Sequence, residues 1–196
     1  MSIFFKRFLV AFLLLCIQAA PAKACVGRIL AVGAVDTPIE RVVAETIALL
    51  INERTGTTVN TKYFATVEQL YSAVRAEEVG ILSENTNRAL QLLGKTAPAE
   101  SVQEYNLAKE AFRQEMKLIW QNPFKFTISA DSGRKTTTAV ILSLKVMTDF
   151  PGLQRLLNKL ADRLDDPAYT QMLERIKSGD KPNRIARDFL EAKKLI

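Results

Sequence analysis

The sequence predicts an α/β domain, a mostly parallel sheet flanked by helices. Three observations lead there. Short β-branched apolar runs recur along the chain, and each of the first three is followed by a helical pattern. Two of those helix starts carry Thr-x-x-Glu/Gln capping boxes. Once an N-terminal leader is set aside, 172 of the 196 residues remain, enough for one domain with a core.

The leader reads as a signal peptide over residues 1–24. Lys6 and Arg7 form a basic start, Phe8 to Ile17 an apolar run of ten, and Ala22-Lys23-Ala24 a small-x-small cleavage pattern. That run is shorter than the roughly 20 residues a bilayer span needs. The pattern predicts cleavage before Cys25, export, a periplasmic location, and one domain over residues 25–196. Cys16 would leave with the leader, so Cys25 has no partner for an internal disulfide. A cysteine at the first mature position is also where a lipid anchor attaches. Lys23 is a poor residue before such a site, so ordinary cleavage is the preferred reading.

The elements follow in order. Arg28 to Val35 (RILAVGAV) suits a buried parallel strand. Thr37-Pro38-Ile39-Glu40 starts a helix: Thr37 caps, Pro38 takes the first helical position, and Glu40 completes the box. Ile39, Val42, Val43, Ile47, Leu50 and Ile51 fall on one face, and Gly56 stops the helix. Thr57 to Phe64 is a second strand, and Thr66 with Gln69 opens a second helix. Val79 to Leu82 is a third strand, followed by a helix from Thr86 to Gly94. Parallel strands joined in this way predict right-handed crossovers and the order 2-1-3. Ser101-x-x-Glu104 opens a long helix. Residues 127–135 read as a polar loop, and Thr136 to Val146 as a late strand. Three helices, starting near Pro151, Pro167 and Pro182, close the chain.

Composition excludes several functions. There is no histidine, so no Ser-His-Asp or Cys-His arrangement can form, and the usual metal ligand is missing. No catalytic residue, metal site or cofactor is expected. The formal charge of +6 falls to +3 without the leader, which carries Lys6, Arg7 and Lys23 and no acid. No basic run is interleaved with aromatics, so no nucleic-acid partner is expected. Ser132-Gly133-Arg134-Lys135-Thr136 lacks the leading glycine of a phosphate loop.

In an open α/β sheet a ligand sits beyond the carboxyl ends of the strands, where the strand order reverses. Strand one ends at Asp36-Thr37 and strand three at Ser83-Glu84-Asn85. With the order 2-1-3, Asp36 and Glu84 would face one crevice and hold a cationic or hydroxylated solute. The competing reading is helix capping, which these residue types favour. A quaternary ammonium ligand would need aromatic faces. Tyr63, Phe64, Trp120, Phe124 and Phe126 are the candidates, with core packing as the competing reading.

Several strings resemble the substrate-binding domain of glycine betaine/choline ABC transporters. Val42-Val43-Ala44-Glu45 matches an apolar-apolar-Ala-Glu string of that family, and Leu49 to Gly56 continues it. Gly80 to Asn87 aligns with a string like Asp-Leu-Tyr-Pro-Glu-Tyr-Thr-Gly. Leu156 to Ala161 and Ala186 to Leu190 are similar to the closing helices. The resemblance covers most of residues 28–126 and 137–196. It implies one lobe of a periplasmic-binding-protein-like fold, with most of the second lobe missing between Thr127 and Thr136. Glu84 and Thr86 match the ligand motif, but Asn85 replaces its tyrosine, so the aromatic cage is dismantled.

The resemblance therefore implies a non-enzymatic solute-binding protein of an ABC system, degenerate in ligand binding. Its partners would be an ABC permease and, weakly, a small quaternary amine or another polar solute. The alternative is a protein-interaction module derived from one lobe, self-associating through its uncovered face.

Overall fold

The computed structural model describes residues 29–129, 133 and 135–196. The expected signal peptide and Cys25 lie outside the described residues, as do residues 130–132 and 134.

The described chain runs β1 (Leu30–Val35), α1 (Pro38–Thr55), β2 (Val59–Phe64), α2 (Val67–Arg75), β3 (Ile81–Asn85), α3 (Thr86–Leu92) and α4 (Ser101–Met116). It continues with β4 (Leu118–Ser129), β5 (Lys135–Ser143), α5 (Leu144–Asp149), α6 (Leu153–Arg163), α7 (Asp166–Lys177) and α8 (Pro182–Ala192). The five strands form one sheet in the order β2-β1-β3-β5-β4. β1 pairs in parallel with both β2 and β3, giving the expected 2-1-3 arrangement. β5 runs antiparallel to β3 and to β4.

Helices cover both faces of the sheet. On one face Val32, Ala34, Ile81, Val140 and Leu142 pack against Val43 and Ile47 of α1 and the leucines of α6 and α8. On the other, Leu82, Ala139 and Ile141 meet Leu70 and Tyr71 of α2, Leu90 of α3 and Phe112 of α4. Each strand feeds both cores because its side chains alternate. Gly33 permits the α2 side to approach closely: a Cβ there would lie 2.7 Å from both Leu70 Cδ1 and Val79 Cγ1.

Local chemistry accounts for the helix ends. Thr37 Oγ1 accepts from Glu40 N at 3.3 Å, and Gly56 closes α1 with φ 68°. The second box also forms: Thr66 Oγ1 accepts from Gln69 N. At α4 the box is replaced by something else. Glu104 is buried and receives the Thr86 hydroxyl at 2.6 Å, and the cap position falls on Glu100 without a side-chain bond.

The late region differs from the sequence expectation. Residues 118–129 form a strand, and the supposed polar loop from Thr127 is paired: Thr127 with Thr137, Ile128 with Thr136, Ser129 with Lys135. The register shifts between Trp120 and Pro123 and again before Thr127. Leu118 and Trp120 consequently face the α4 core, while Phe124 and Phe126 face the other. The late strand ends at Ser143, whose hydroxyl caps α5, so Leu144 to Val146 are helical. The free edge of β4 is covered. Asn122 N donates to Asn158 Oδ1, Lys125 N to Leu164 O, and Thr127 N to Asp166 Oδ1.

Candidate functional site

β3 extends three residues beyond the expected strand end, so Ser83, Glu84 and Asn85 belong to it. The pleat separates them. Ser83 and Asn85 lie beside Ile39 and Val43 of α1, while Glu84 reaches Tyr71 of α2.

Glu84 is fully buried and well partnered. Its Oε2 accepts from the Tyr71 hydroxyl at 2.9 Å; Oε1 accepts from Arg88 Nε at 2.6 Å and from Asn85 N at 2.8 Å. Arg88 sits one turn along α3 and reaches α1, where Nη1 donates to Glu40 Oε1 at 2.8 Å. Glu40 Oε2 also accepts from Val35 N at 3.2 Å. The chain Glu84–Arg88–Glu40 thus joins β3, α3, α1 and the end of β1. Burial pushes the Glu84 carboxyl above its ordinary range, while Arg88 and Tyr71 pull it back. Burial and the neighbouring Glu84 hold the Tyr71 phenol well above its usual value. Burial opposes the charge on Arg88, but Glu84 and Glu40 outweigh it and the pKa rises.

The other candidates have different surroundings. Asp36 does not share a crevice with Glu84; it is exposed and paired with Arg41, and that hydrogen bond lowers its pKa. Thr37 caps α1 and Asn85 caps α3, accepting from Arg88 N at 2.9 Å. Thr86 is buried, with its hydroxyl 2.8 Å from that of Thr136. Trp120 lies on the far core, edge-on to Tyr105 at 5.8 Å and Phe112 at 5.6 Å. Tyr63 donates to Glu45, and burial together with that bond pushes its phenol up to about 12. Phe64 packs on the opposite face of the sheet. Phe126 stacks between Phe124 at 5.4 Å and Tyr169 at 4.1 Å.

Ser83, Glu84, Asn85 and Arg88 border a pocket of about 90 Å³, closed by Ile39, Glu40 and Val43 of α1, Phe126 and Ile128 of β4, Thr138 of β5 and Tyr169 of α7. Sequence reasoning missed Glu40, Arg88, Tyr71, Thr138 and Tyr169. The spacing of four between Glu84 and Arg88 was the one available signal. A second, larger groove of about 770 Å³ lies at the opposite end of the sheet. Leu30, Val79, Leu118 and Val146 line it, and Ile29 and Leu144 are exposed beside it.

The amino-acid sequence matches no protein-family model and no curated protein. Solved structures do match. A glycine betaine/carnitine/choline ABC transporter structure superposes with a TM-score of 0.75 at 9% identity, over 85% of this chain and 99% of that one. Apo YehZ from Escherichia coli gives 0.74 at 13% identity, over 86% and 100%. An ABC-transporter choline-binding protein in complex with choline gives 0.51 at 10% identity, over 84% and 88%. At these identities the likeness is one of fold. The described residues form a single α/β lobe with the fold of these substrate-binding proteins.

Proposed function

We propose that this chain is an exported solute-binding-protein-like domain of the glycine betaine/choline type, with its quaternary-amine site closed. Export rests on the leader pattern of residues 1–24 and agrees with the fold. The observation that carries the closure is the state of Glu84. Its carboxylate is occupied by Arg88, Tyr71 and the Asn85 amide, so Glu84 itself is not free to face a quaternary amine at the end of β3. The adjoining pocket, about 90 Å³, is well below the roughly 300–1,000 Å³ of usual small-molecule sites. Its aromatic rings, Phe126 and Tyr169, stack on each other rather than forming a cage. An exposed single lobe also leaves charges screened by water. The expected dissociation constant for glycine betaine or choline is about 1 mM or weaker. Calorimetry tests this directly. Micromolar binding of either ligand to the monomer would refute the closed-site reading.

A second reading, a protein-interaction module, is favoured by the groove at the other end of the sheet. Exposed Ile29 and Leu144 border it, next to Leu30, Val79 and Val146 and within a rim of charged side chains. A photo-crosslinking residue in place of Leu144, used in the intact cell envelope, checks that reading. A discrete adduct absent when the probe is moved to Asn60 supports it, and no adduct at either position counts against it.

A further inference from the structure

The pocket beside Ser83 has a chemistry unlike that of a quaternary-amine site. Thr138 is nine-tenths buried, and its Oγ1 has no hydrogen-bond partner. Ser83, on the adjacent strand, is also buried. The β3–β5 register pairs Ser83 with Val140 and Asn85 with Thr138, so the two hydroxyls stand diagonally on one face of adjacent strands. Both border the pocket. Buried hydroxyls without partners are rare, and leaving one unmatched costs about 1–3 kcal/mol. The unmatched Thr138 hydroxyl, with the Ser83 hydroxyl beside it, points to a polar occupant of this small cavity.

Charge narrows the choice. Glu40 and Glu84 border the same cavity with a single cation, Arg88, between them. Two carboxylates against one guanidinium leave one negative charge in excess. An anion would meet that excess with the guanidinium already engaged at Nε and Nη1. A quaternary ammonium has no N–H to give the hydroxyls and would need free aromatic faces. Apart from Asn85 the remaining wall is apolar: Ile39, Val43 and Ile128, with the mutually stacked rings of Phe126 and Tyr169. A cavity of about 90 Å³ fits only a few non-hydrogen atoms.

We infer that this pocket binds a short primary alkylammonium ion. The three N–H groups of the ligand would donate to Ser83 Oγ, Thr138 Oγ1 and Glu40, with the alkyl group against Ile39, Val43 and Ile128. This rests on the closed quaternary-amine reading, since it assigns the same end of the sheet to a smaller ligand.

The probe is methylammonium chloride, with sodium chloride and tetramethylammonium chloride at equal ionic strength as comparators. Thermal unfolding of the whole secreted protein is followed, with calorimetry for affinity. Methylammonium is expected to raise Tm by roughly 3 °C or more at ten times its dissociation constant. The comparators should do no more than shift it through ionic strength. In Thr138→Val, which keeps the shape and removes the unmatched hydroxyl, the ligand-free Tm should be unchanged or higher while the methylammonium response is lost. Ser83→Ala should weaken the response about tenfold. Equal effects of methylammonium and sodium, or a full response in the Thr138→Val protein, would overturn the inference. If neither methylammonium nor betaine binds, only this inference fails. Micromolar betaine binding would overturn both readings.

Discussion

Arg88 is the residue on which the end of β3 depends. Among the described residues it is the only cation within hydrogen-bonding distance of Glu84, whose side chain has no exposure at all. Breaking a buried pair by removing one partner costs about 3–5 kcal/mol, because the remaining charge has no water to return to. Arg88→Met is therefore expected to destabilise the fold by about that amount, measured by urea unfolding at neutral pH. The pH dependence identifies the cause. Glu84 has a raised pKa, so between its unfolded value near 4.5 and its higher folded value the native state holds more protons than the unfolded chain. Stability therefore falls as pH rises through that window. Without Arg88 to pull the carboxyl down, the window widens upward. The Arg88→Met deficit should be larger at pH 7.5 than at pH 4.5. Equal deficits would show that Glu84 is not responsible.

At the scale of elements, close packing and caps set the tolerances. Gly33 lies where α2 meets the sheet, and a methyl there would fall within 2.7 Å of two branched side chains. Gly33→Ala is expected to cost about 1–3 kcal/mol through overpacking, read as a lowered urea midpoint with an unchanged slope. Asp165 caps α7, accepting from Ala168 N at 3.0 Å, and that bond lowers its carboxyl pKa. Asp165→Ala should cost about 1 kcal/mol at neutral pH. A depressed acid contributes above its unfolded value, so this deficit should shrink as the pH falls below 3.8. The same scale explains what the sequence could and could not reveal. The first three strands and their helices were legible because period and caps agree at Thr37, Thr66 and Gly56. β4 was not, since Pro123 stands mid-strand and the register shift beside it moves the apolar residues to the opposite face while their even spacing persists. Glu104 imitates a cap but turns inward to Thr86. For the site, Ser83 and Glu84 were identified as neighbours of the crevice. Their separation by the pleat was hidden by the short strand assignment, and Arg88's reach across to Glu40 depends on tertiary geometry that no local pattern encodes.

For the whole molecule, the decisive feature is how the chain continues after β4. In a two-lobed binding protein the chain leaves the first lobe near this point and later returns. Here Ser129 pairs with Lys135, so the strand running out is joined to the strand running back through five residues. The returning strand β5 then lies between β3 and β4, in contact with both apolar cores. Among the described residues there is consequently no second body to close over a ligand, and no hinge between bodies. Two-lobed proteins that clamp a solute contract when it binds. This chain should not. For the 172 residues left after the expected cleavage, a compact domain has a radius of gyration of about 16 Å. Solution X-ray scattering of the monomer should give that value, unchanged to within about 0.3 Å when glycine betaine or choline is added well above 1 mM. Because the single sheet carries both cores, heat should also unfold the domain in one calorimetric transition with matching calorimetric and van't Hoff enthalpies. A ligand-dependent contraction of an ångström or more would show a mobile second part, and with it a clamp that this lobe does not contain.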